Sequence, residues 1–162
     1  LGLVVVSVPG VEADDMIATA VLRWLAQGRG AAVIVSTDKD LLPLIASGAR
    51  IWDAFKNEWH DREWVERRYG VAPEQMADLL ALVGHPGDSI PGIPGIGEKT
   101  AARLLQSYRD LDGIMAGAGI LLTPLGQKLR AGREDAVLSR ELVRLKTDVA
   151  LGVSWNGLRY GV

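Results

Sequence analysis

The stretch that decides the fold reads G-H-P-G-D-S-I-P-G-I-P-G-I-G-E-K-T and runs from Gly84 to Thr100. Its glycines and prolines predict a tight hairpin, and a helix is predicted to follow directly, over Thr100–Tyr108. Such a loop presents several backbone N–H groups beside the positive end of a helix dipole, which favours a bound phosphate group. We therefore expect a helix–hairpin–helix over about residues 73–108 that contacts phosphate.

One alternative for this loop can be set aside from the sequence alone. The segment from Gly95 to Thr100 superficially resembles the phosphate-binding loop of nucleotide hydrolases. That loop requires glycine, lysine and a serine or threonine in direct succession, whereas Glu98 separates Gly97 from Lys99 here. The loop also normally follows a strand, and the pattern before this hairpin predicts a helix.

A contact with a nucleic-acid backbone fits the hairpin better. Its glycines would let a phosphate approach the main chain closely, and its basic side chains would supply positive charge. The residues assigned to this contact are Gly92, Gly95, Gly97, Lys99, Thr100 and Arg103. Contacts with phosphate groups do not distinguish one base sequence from another, so the expected binding is independent of sequence. Because these contacts are electrostatic, salt weakens them. The alternative is a tight turn that only joins two packed helices.

Two clusters of carboxylates lie upstream of the hairpin. The first cluster follows a predicted strand at Leu3–Val8, and the second follows a predicted strand at Ala31–Val35. If these strands are parallel neighbours, both clusters lie at the edge where open α/β sheets bind ligands. Mg²⁺ and Mn²⁺ prefer oxygen ligands of this kind. The predicted ligands are Glu12, Asp14, Asp15, Asp38 and Asp40, of which the four aspartates are also the candidate catalytic residues.

Each cluster taken alone also has a simpler interpretation. Acidic residues are common in the first turn of a helix, where the dipole favours them by about 0.3–1 kcal/mol. A helix cap beside a solvated charge would explain Asp38 and Asp40. Their coincidence at equivalent strand ends favours the metal site. Asp88, inside the hairpin, is either a further carboxylate ligand or an ordinary turn residue.

The order of predicted elements indicates an α/β fold. A helix over 11–27 and a short helix over 38–47 connect the predicted strands at 3–8, 31–35 and 50–55, which implies parallel pairing. Helices are then predicted over 61–69, 73–83, 100–108, 111–116 and 133–145. We expect a parallel-sheet α/β core over residues 1–60, followed by a helical subdomain over residues 61–162.

Composition restricts the possible functions. The chain has 162 residues and no cysteine, which excludes disulfides and thiolate metal sites and fits a reducing cytoplasm. Residues 1–97 carry 8 basic and 13 acidic side chains, whereas residues 98–162 carry 10 basic and 7 acidic ones. An acidic half followed by a basic half suits a metal site beside a phosphate-binding surface, although so small a difference also arises by chance. No signal for a membrane span or an oligomer is visible.

Five motifs together resemble one known family. They occur in a consistent order, as Val11-Glu-Ala-Asp-Asp, Ser36-Thr-Asp-Lys-Asp, Tyr69-Gly-Val-Ala-Pro, Ile90-Pro-Gly-Ile-Pro-Gly-Ile-Gly-Glu-Lys-Thr-Ala and Leu145-Lys-Thr-Asp-Val. The set is similar to that of the structure-specific 5′-nucleases of the flap endonuclease family, such as the 5′→3′ exonuclease domain of bacterial DNA polymerase I and its small stand-alone relatives. The resemblance covers nearly the whole chain and implies that residues 1–60 are the C-terminal part of a parallel-sheet nuclease core of the PIN or Rossmann-like type.

The resemblance implies a helix–three-turn–helix subdomain that binds double-stranded or branched DNA, and hydrolysis at 5′ flaps or ends with two Mg²⁺ or Mn²⁺ ions. It also implies a K⁺ ion held by loop carbonyls near Ile93 and Ile96. The family often carries two aspartates before the hairpin, and His85 takes the earlier position here. We expect the family's first metal-binding aspartates and its helical arch to lie upstream of this sequence. Two alternatives are a DNA-binding module without catalysis and an RNA-directed nuclease of related architecture.

Overall fold

The first half of the chain forms one helix and a small sheet. The computed structural model describes residues 3–118 and 120–159. Its first elements are α1 (Ala13–Ala26), β1 (Val33–Val35), a 3₁₀ helix (Lys39–Ser47), β2 (Arg50–Asp53) and β3 (Glu58–His60). These elements correspond to the predicted α/β core, with a sheet of mixed rather than purely parallel strands.

Helices make up most of the second half. They are α2 (Arg62–Tyr69), a 3₁₀ turn (Pro73–Gln75), α3 (Met76–Val83), α4 (Glu98–Tyr108), α5 (Leu111–Gly117), α6 (Pro124–Ala131) and α7 (Arg133–Val143). Short 3₁₀ turns also occur at Pro86–Asp88 and Trp155–Leu158. Within the described part of the chain, no helix combines the length and the apolar composition that crossing a bilayer requires.

The sheet has the order β1-β2-β3. β1 pairs with β2 in parallel, with Ile34 opposite Ile51, and both side chains are buried. β2 pairs with β3 in the antiparallel sense, with Ile51 opposite His60. The 3₁₀ helix therefore forms the crossover between the parallel strands. This pairing confirms the predicted parallel connection between the second and third expected strands.

The strand predicted at Leu3–Val8 is absent, and that prediction was wrong. Residues 3–8 have no regular structure, and the side chains of Leu3, Val4 and Val5 are exposed. A run of β-branched residues becomes a strand only when a neighbouring strand completes its hydrogen-bond ladder, and no strand among the described residues pairs with this segment. The two acidic clusters are thus not brought together by pairing of their preceding strands.

The predicted strand over 50–55 ends early, at Asp53, for a visible reason. The buried carboxylate of Asp53 accepts hydrogen bonds from the backbone N–H groups of Phe55 and Lys56, each at 3.0 Å. These bonds close a turn, and the chain returns as β3, which the sequence analysis did not predict. Because the same N–H groups stabilise the charged carboxylate, they lower the pKa of Asp53, with that of Lys56 contributing most.

The helical half is assembled on α3. This helix packs against α7, against α4 and against the 3₁₀ helix of the first half, so one apolar core runs through both halves. Leu79 and Leu82 of α3, Leu105 of α4 and Ala136 of α7 are almost completely buried. The hairpin between α3 and α4 is therefore held by a rigid base.

Candidate metal and nucleic-acid site

The acidic clusters meet because α1 packs against the 3₁₀ helix Lys39–Ser47. Asp38 caps that 3₁₀ helix, since its side chain accepts the N–H of Asp40 at 2.9 Å. The backbone N–H of Asp38 in turn donates to Oγ of Ser36 at 3.0 Å. These bonds fix the turn that carries Asp38 and Asp40, and α1 presents Asp14 from its first turn to the same region.

The electrostatics of two carboxyl groups show that the clusters are close. Partial burial raises the pKa of Asp14, and the nearby charge of Asp38 raises it further, followed by Glu12 and Asp15. Partial burial also raises the pKa of Asp40, with additional contributions from Asp38, Asp88 and Asp14 that outweigh the lowering effect of Lys39. Like charges held together in this way favour a bound cation.

Asp88 joins this group from the hairpin. The surface formed by Asp14, Asp38 and Asp40 is called the acidic edge below. The charge of Asp88 acts on Asp40, so the hairpin brings Asp88 towards this edge. An oxygen of Asp88 also lies 2.6 Å from Nδ1 of His85, and both side chains are about half exposed. Glu12 is the exposed N-cap residue of α1 and makes no capping hydrogen bond with its side chain. It lies at the rim of the acidic edge.

Asp15 has a different environment. The residue is 6% exposed, and its Oδ1 accepts the backbone N–H of Lys146 at 2.8 Å. Oδ2 lies 3.5 Å from Nζ of the same lysine. On the next turn, Thr19 donates its hydroxyl to the carbonyl of Lys146 and accepts the N–H of Val149, each at 3.3 Å. Asp15 therefore fastens the segment after α7 to α1.

The residues present fit a hard divalent cation by their chemistry. In the ranges 3–118 and 120–159, no three His, Asp or Glu side chains converge closely enough to enclose an ion. The donors at the acidic edge are nevertheless all carboxylate oxygens, and Asp14 and Asp40 carry the mutual repulsion that a cation would relieve. Oxygen donors of this type suit Mg²⁺ or Mn²⁺ rather than soft metals.

The base of the hairpin is held by close backbone packing. A Cβ on Gly84 would lie 2.7 Å from the nitrogen of Gly92, and one on Gly92 would lie 2.6 Å from the carbonyl carbon of Val83. The N–H of Gly92 donates to the buried hydroxyl of Ser139 at 2.9 Å. Gly92, predicted to contact DNA, is thus buried and its N–H is already used, so its visible role is to let the hairpin close.

The tip of the hairpin leads into the open end of α4. Gly97 is the N-cap residue, and it has no side chain that could accept a hydrogen bond from the N–H groups of the first turn. Across the described residues, the backbone N–H groups of Gly97, Glu98 and Lys99 find no protein acceptor. Gly95, Gly97 and Lys99 are exposed, whereas Ile93 and Ile96 are buried and anchor the tip. This surface therefore offers free donors to a phosphate.

A basic groove lies beside the hairpin, between α4 and α6. It has a volume of about 500 Å³ and is lined by Thr100, Arg103 and Ser107 of α4 together with Lys128 of α6. The ammonium of Lys128 lies 3.5 Å from the carbonyl oxygen of Gly95, at the limit of a hydrogen bond. Sequence reasoning missed α6 and Lys128, although Thr123 followed by Pro124 is a recognisable helix start.

Two family models match the chain. The model described as 5′-3′ exonuclease, N-terminal resolvase-like domain, matches residues 1–70. The model described as 5′-3′ exonuclease, C-terminal SAM fold, matches residues 71–162 and covers more than half of the chain. The chain belongs to the 5′-3′ exonuclease family. The resemblance noted from the sequence motifs is confirmed.

Similar proteins include curated flap endonucleases. Flap endonuclease Xni of Shewanella amazonensis is 44% identical over 148 residues, which cover 91% of this chain and 58% of the relative. Xni of Aeromonas hydrophila is 44% identical over 155 residues, covering 92% of this chain and 56% of that protein. DNA polymerase I of Rhizobium leguminosarum is 44% identical over 151 residues but is covered to only 15%. The chain thus spans less than two thirds of the length of these relatives.

Solved structures of bacteriophage T5 5′-exonuclease have the same fold. The form with bound divalent zinc ions matches with a TM-score of 0.77 and 25% identity, over 86% of this chain and 52% of that one. The T5 flap endonuclease in a pseudo-enzyme–product complex with DNA and metal ions matches with a TM-score of 0.76, 25% identity and the same coverage. These matches confirm the predicted α/β fold with a helical second part.

Proposed function

We propose that this chain carries part of the active site, and the duplex-binding subdomain, of a metal-dependent 5′-nuclease that hydrolyses DNA at 5′ flaps or 5′ ends. The observation that carries the proposal is that elements packed on one continuous apolar core present both the acidic edge and the hairpin. Arg68 of α2 contacts Glu98, the first residue of α4, at 3.3 Å, and so joins α2 to the helix that follows the hairpin. The family membership and the flap endonuclease relatives support the same function.

The acidic edge would bind the metal ions. Asp14, Asp38, Asp40 and Asp88 are the carboxylates that the geometry favours, with Glu12 at the rim. Bound Mg²⁺ or Mn²⁺ would supply activation of water and stabilisation of the leaving oxygen. We propose that two such ions bind. We retain Asp15 as a predicted ligand, although its Oδ1 already accepts the N–H of Lys146.

The hairpin would hold the duplex without reading its sequence. The free N–H groups of Gly97, Glu98 and Lys99 would bind one backbone phosphate, and the ammonium of Lys99 would add positive charge. We also propose that a K⁺ ion binds at the carbonyls of Ile93 and Ile96. The carbonyl of Ile93 already accepts the N–H of Ile96 at 3.0 Å, so only its second lone pair is available.

One observation favours a second candidate function. No three potential ligands converge in the part of the chain that the structure describes, which would suit a DNA-binding module without catalysis. Such a module would use the hairpin and the basic groove alone. The acidic first turn of α1 would then serve only to fasten the segment after α7, as Asp15 does.

Cleavage of a labelled 5′-flap duplex distinguishes these two functions. We expect cutting near the junction, in Mg²⁺ or Mn²⁺ but not in EDTA, by a protein in which this chain is joined to the upstream metal-binding segment that the family resemblance implies. In that protein we expect Asp40→Asn to remove cutting while duplex binding is kept. Asp148→Asn is a matched control, because this aspartate is exposed and its charge is not among those that raise the pKa of Asp14 or Asp40. Binding to the duplex without cutting by that longer protein, in either metal, would favour the non-catalytic module.

A further inference from the structure

We propose that the groove between α4 and α6 is a second phosphate site, in which Arg103 and Lys128 grip one phosphate of the DNA backbone from opposite sides. The proposal rests on the duplex-binding function above and extends the duplex-binding surface beyond the hairpin to α6. The groove is an open cavity of about 500 Å³ on the surface.

The lining of the groove is suited to an anion. Arg103 and Lys128 come from two different helices, and Thr100 and Ser107 add hydroxyl donors from the same face of α4. No carboxylate is among the residues that line it. Arg103 and Lys128 are both exposed, so a phosphate can reach their charged ends without any rearrangement of the core.

The start of α6 adds to this preference. Pro124 and Leu125, which open α6, also line the groove, so the positive end of this eight-residue helix borders it. The first turn of α6 contains no acidic residue that would cancel the effect. Thr100 lies in the first turn of α4, so the first turns of two helices border one cavity.

Lys128 also places this site next to the hairpin. Its Nζ lies 3.5 Å from the carbonyl of Gly95, and a Cβ at position 95 would lie 2.6 Å from that Nζ. The end of Lys128 thus lies in the space beside Gly95, where a φ of +77° also favours glycine. Because the hairpin and the groove adjoin, a strand whose phosphate binds at the hairpin tip would bring a neighbouring phosphate to the groove.

The salt dependence of duplex binding tests whether the two cations share one phosphate. Each neutralised phosphate adds about 0.9 to the slope of log affinity against log salt concentration. Binding of a labelled duplex would be measured by anisotropy in EDTA, so that no cleavage occurs, for Lys128→Gln, Arg103→Gln and the double variant. We expect each single variant to weaken binding by roughly threefold to tenfold and to lower the slope by up to about 0.9.

The double variant gives the decisive comparison. If both cations hold the same phosphate, the double variant lowers the slope by no more than about 0.9 in total. A loss near twice that value would assign the cations to separate phosphates and would overturn the proposal, as would single variants that bind like the unchanged chain. In contrast, the slope should fall further in Lys128→Gln combined with Lys99→Gln than in either single variant, by up to about 0.9 for each of two phosphates. The reason is that the hairpin holds a different phosphate from the groove.

Two controls complete the test. Arg29→Gln removes one positive charge at the far end of α1, where the guanidinium lies against Trp24 and Trp155, and should leave the slope unchanged. Inorganic phosphate should compete with DNA less effectively in Lys128→Gln than in the unchanged chain if the groove binds the phosphate group itself. If the unchanged chain binds no duplex at all, the proposed function fails. If it binds duplex but the substitutions leave the slope unaffected, only the proposed groove site fails.

Discussion

The backbone N–H of Lys146 donates to Oδ1 of Asp15 at 2.8 Å, and this bond joins the segment after α7 to the acidic first turn of α1. The two residues are 131 positions apart in the chain. Asp14, the neighbour of Asp15, has its pKa raised by partial burial and by the nearby charge of Asp38. The two adjacent aspartates of this turn therefore differ in role: Asp15 holds the segment after α7, and Asp14 belongs to the acidic edge.

We predict that Asp15→Ala destabilises the fold by roughly 1–3 kcal/mol, because it leaves the backbone N–H of Lys146 without its acceptor. Thermal or urea unfolding followed by circular dichroism measures this change. Glu12→Ala is the matched control, since this exposed carboxylate of the same turn makes no capping bond. Equal stability of the two variants would show that the bond to Lys146 contributes nothing.

We predict that Asp14→Asn and Asp40→Asn stabilise the metal-free protein at neutral pH. The folded state raises the pKa of both groups, so their charged forms oppose folding above the folded-state pKa. This cost disappears as the pH falls below the unfolded value, where both states are protonated. The gain in Tm, about 2–4 °C for each kcal/mol recovered, should therefore be present at pH 7 in EDTA and vanish in acid.

The control for this prediction is Asp88→Asn, a half-exposed carboxylate that lies beside His85. Its replacement should change the Tm less than either of the other two substitutions. A fall in the Tm of Asp14→Asn and Asp40→Asn in EDTA would contradict the account, because it would mean that their charges favour the fold. Addition of Mn²⁺ should reverse the order and make the unchanged chain the most stable.

We predict that Gly92→Ala destabilises the protein by more than about 2 kcal/mol. Gly92 has φ of +60°, and an added Cβ would meet the backbone of Val83 and Gly84. Gly97→Ala is the matched control in the same loop, because a Cβ there has nothing within 4 Å and its φ is −96°. Differential scanning calorimetry of both variants measures the contrast, and similar losses would refute the assignment of Gly92 to hairpin closure.

Local patterns predicted most of the helices correctly. The apolar periodicity of α1 and the glycine-rich start of α4 are properties of short segments, so their positions could be read within a few residues. β3 was missed because Glu58–His60 is too short to show alternation. The strand at Leu3–Val8 was predicted from composition alone, and composition does not show whether a partner strand is present.

The sequence was enough to predict which residues could form the candidate site, but not which contacts those residues make. The sequence indicated which carboxylates and which hairpin residues to consider. It could not show that Asp15 binds Lys146, or that Lys128 reaches Gly95 from 33 positions away, because such contacts depend on how the helices pack. Gly92 illustrates the same point. It is buried, and its N–H donates to Ser139 instead of facing an open surface.

The most direct test of the acidic edge as a metal site is Mn²⁺ binding to the unchanged chain, followed by electron paramagnetic resonance of the free ion. We predict that the chain removes Mn²⁺ from the free pool, that Asp14→Asn and Asp40→Asn each weaken this binding at least tenfold, and that Asp148→Asn binds like the unchanged chain. Binding that is the same in all four proteins would contradict the account, because the metal would then be held somewhere other than the edge where Asp14 and Asp40 meet.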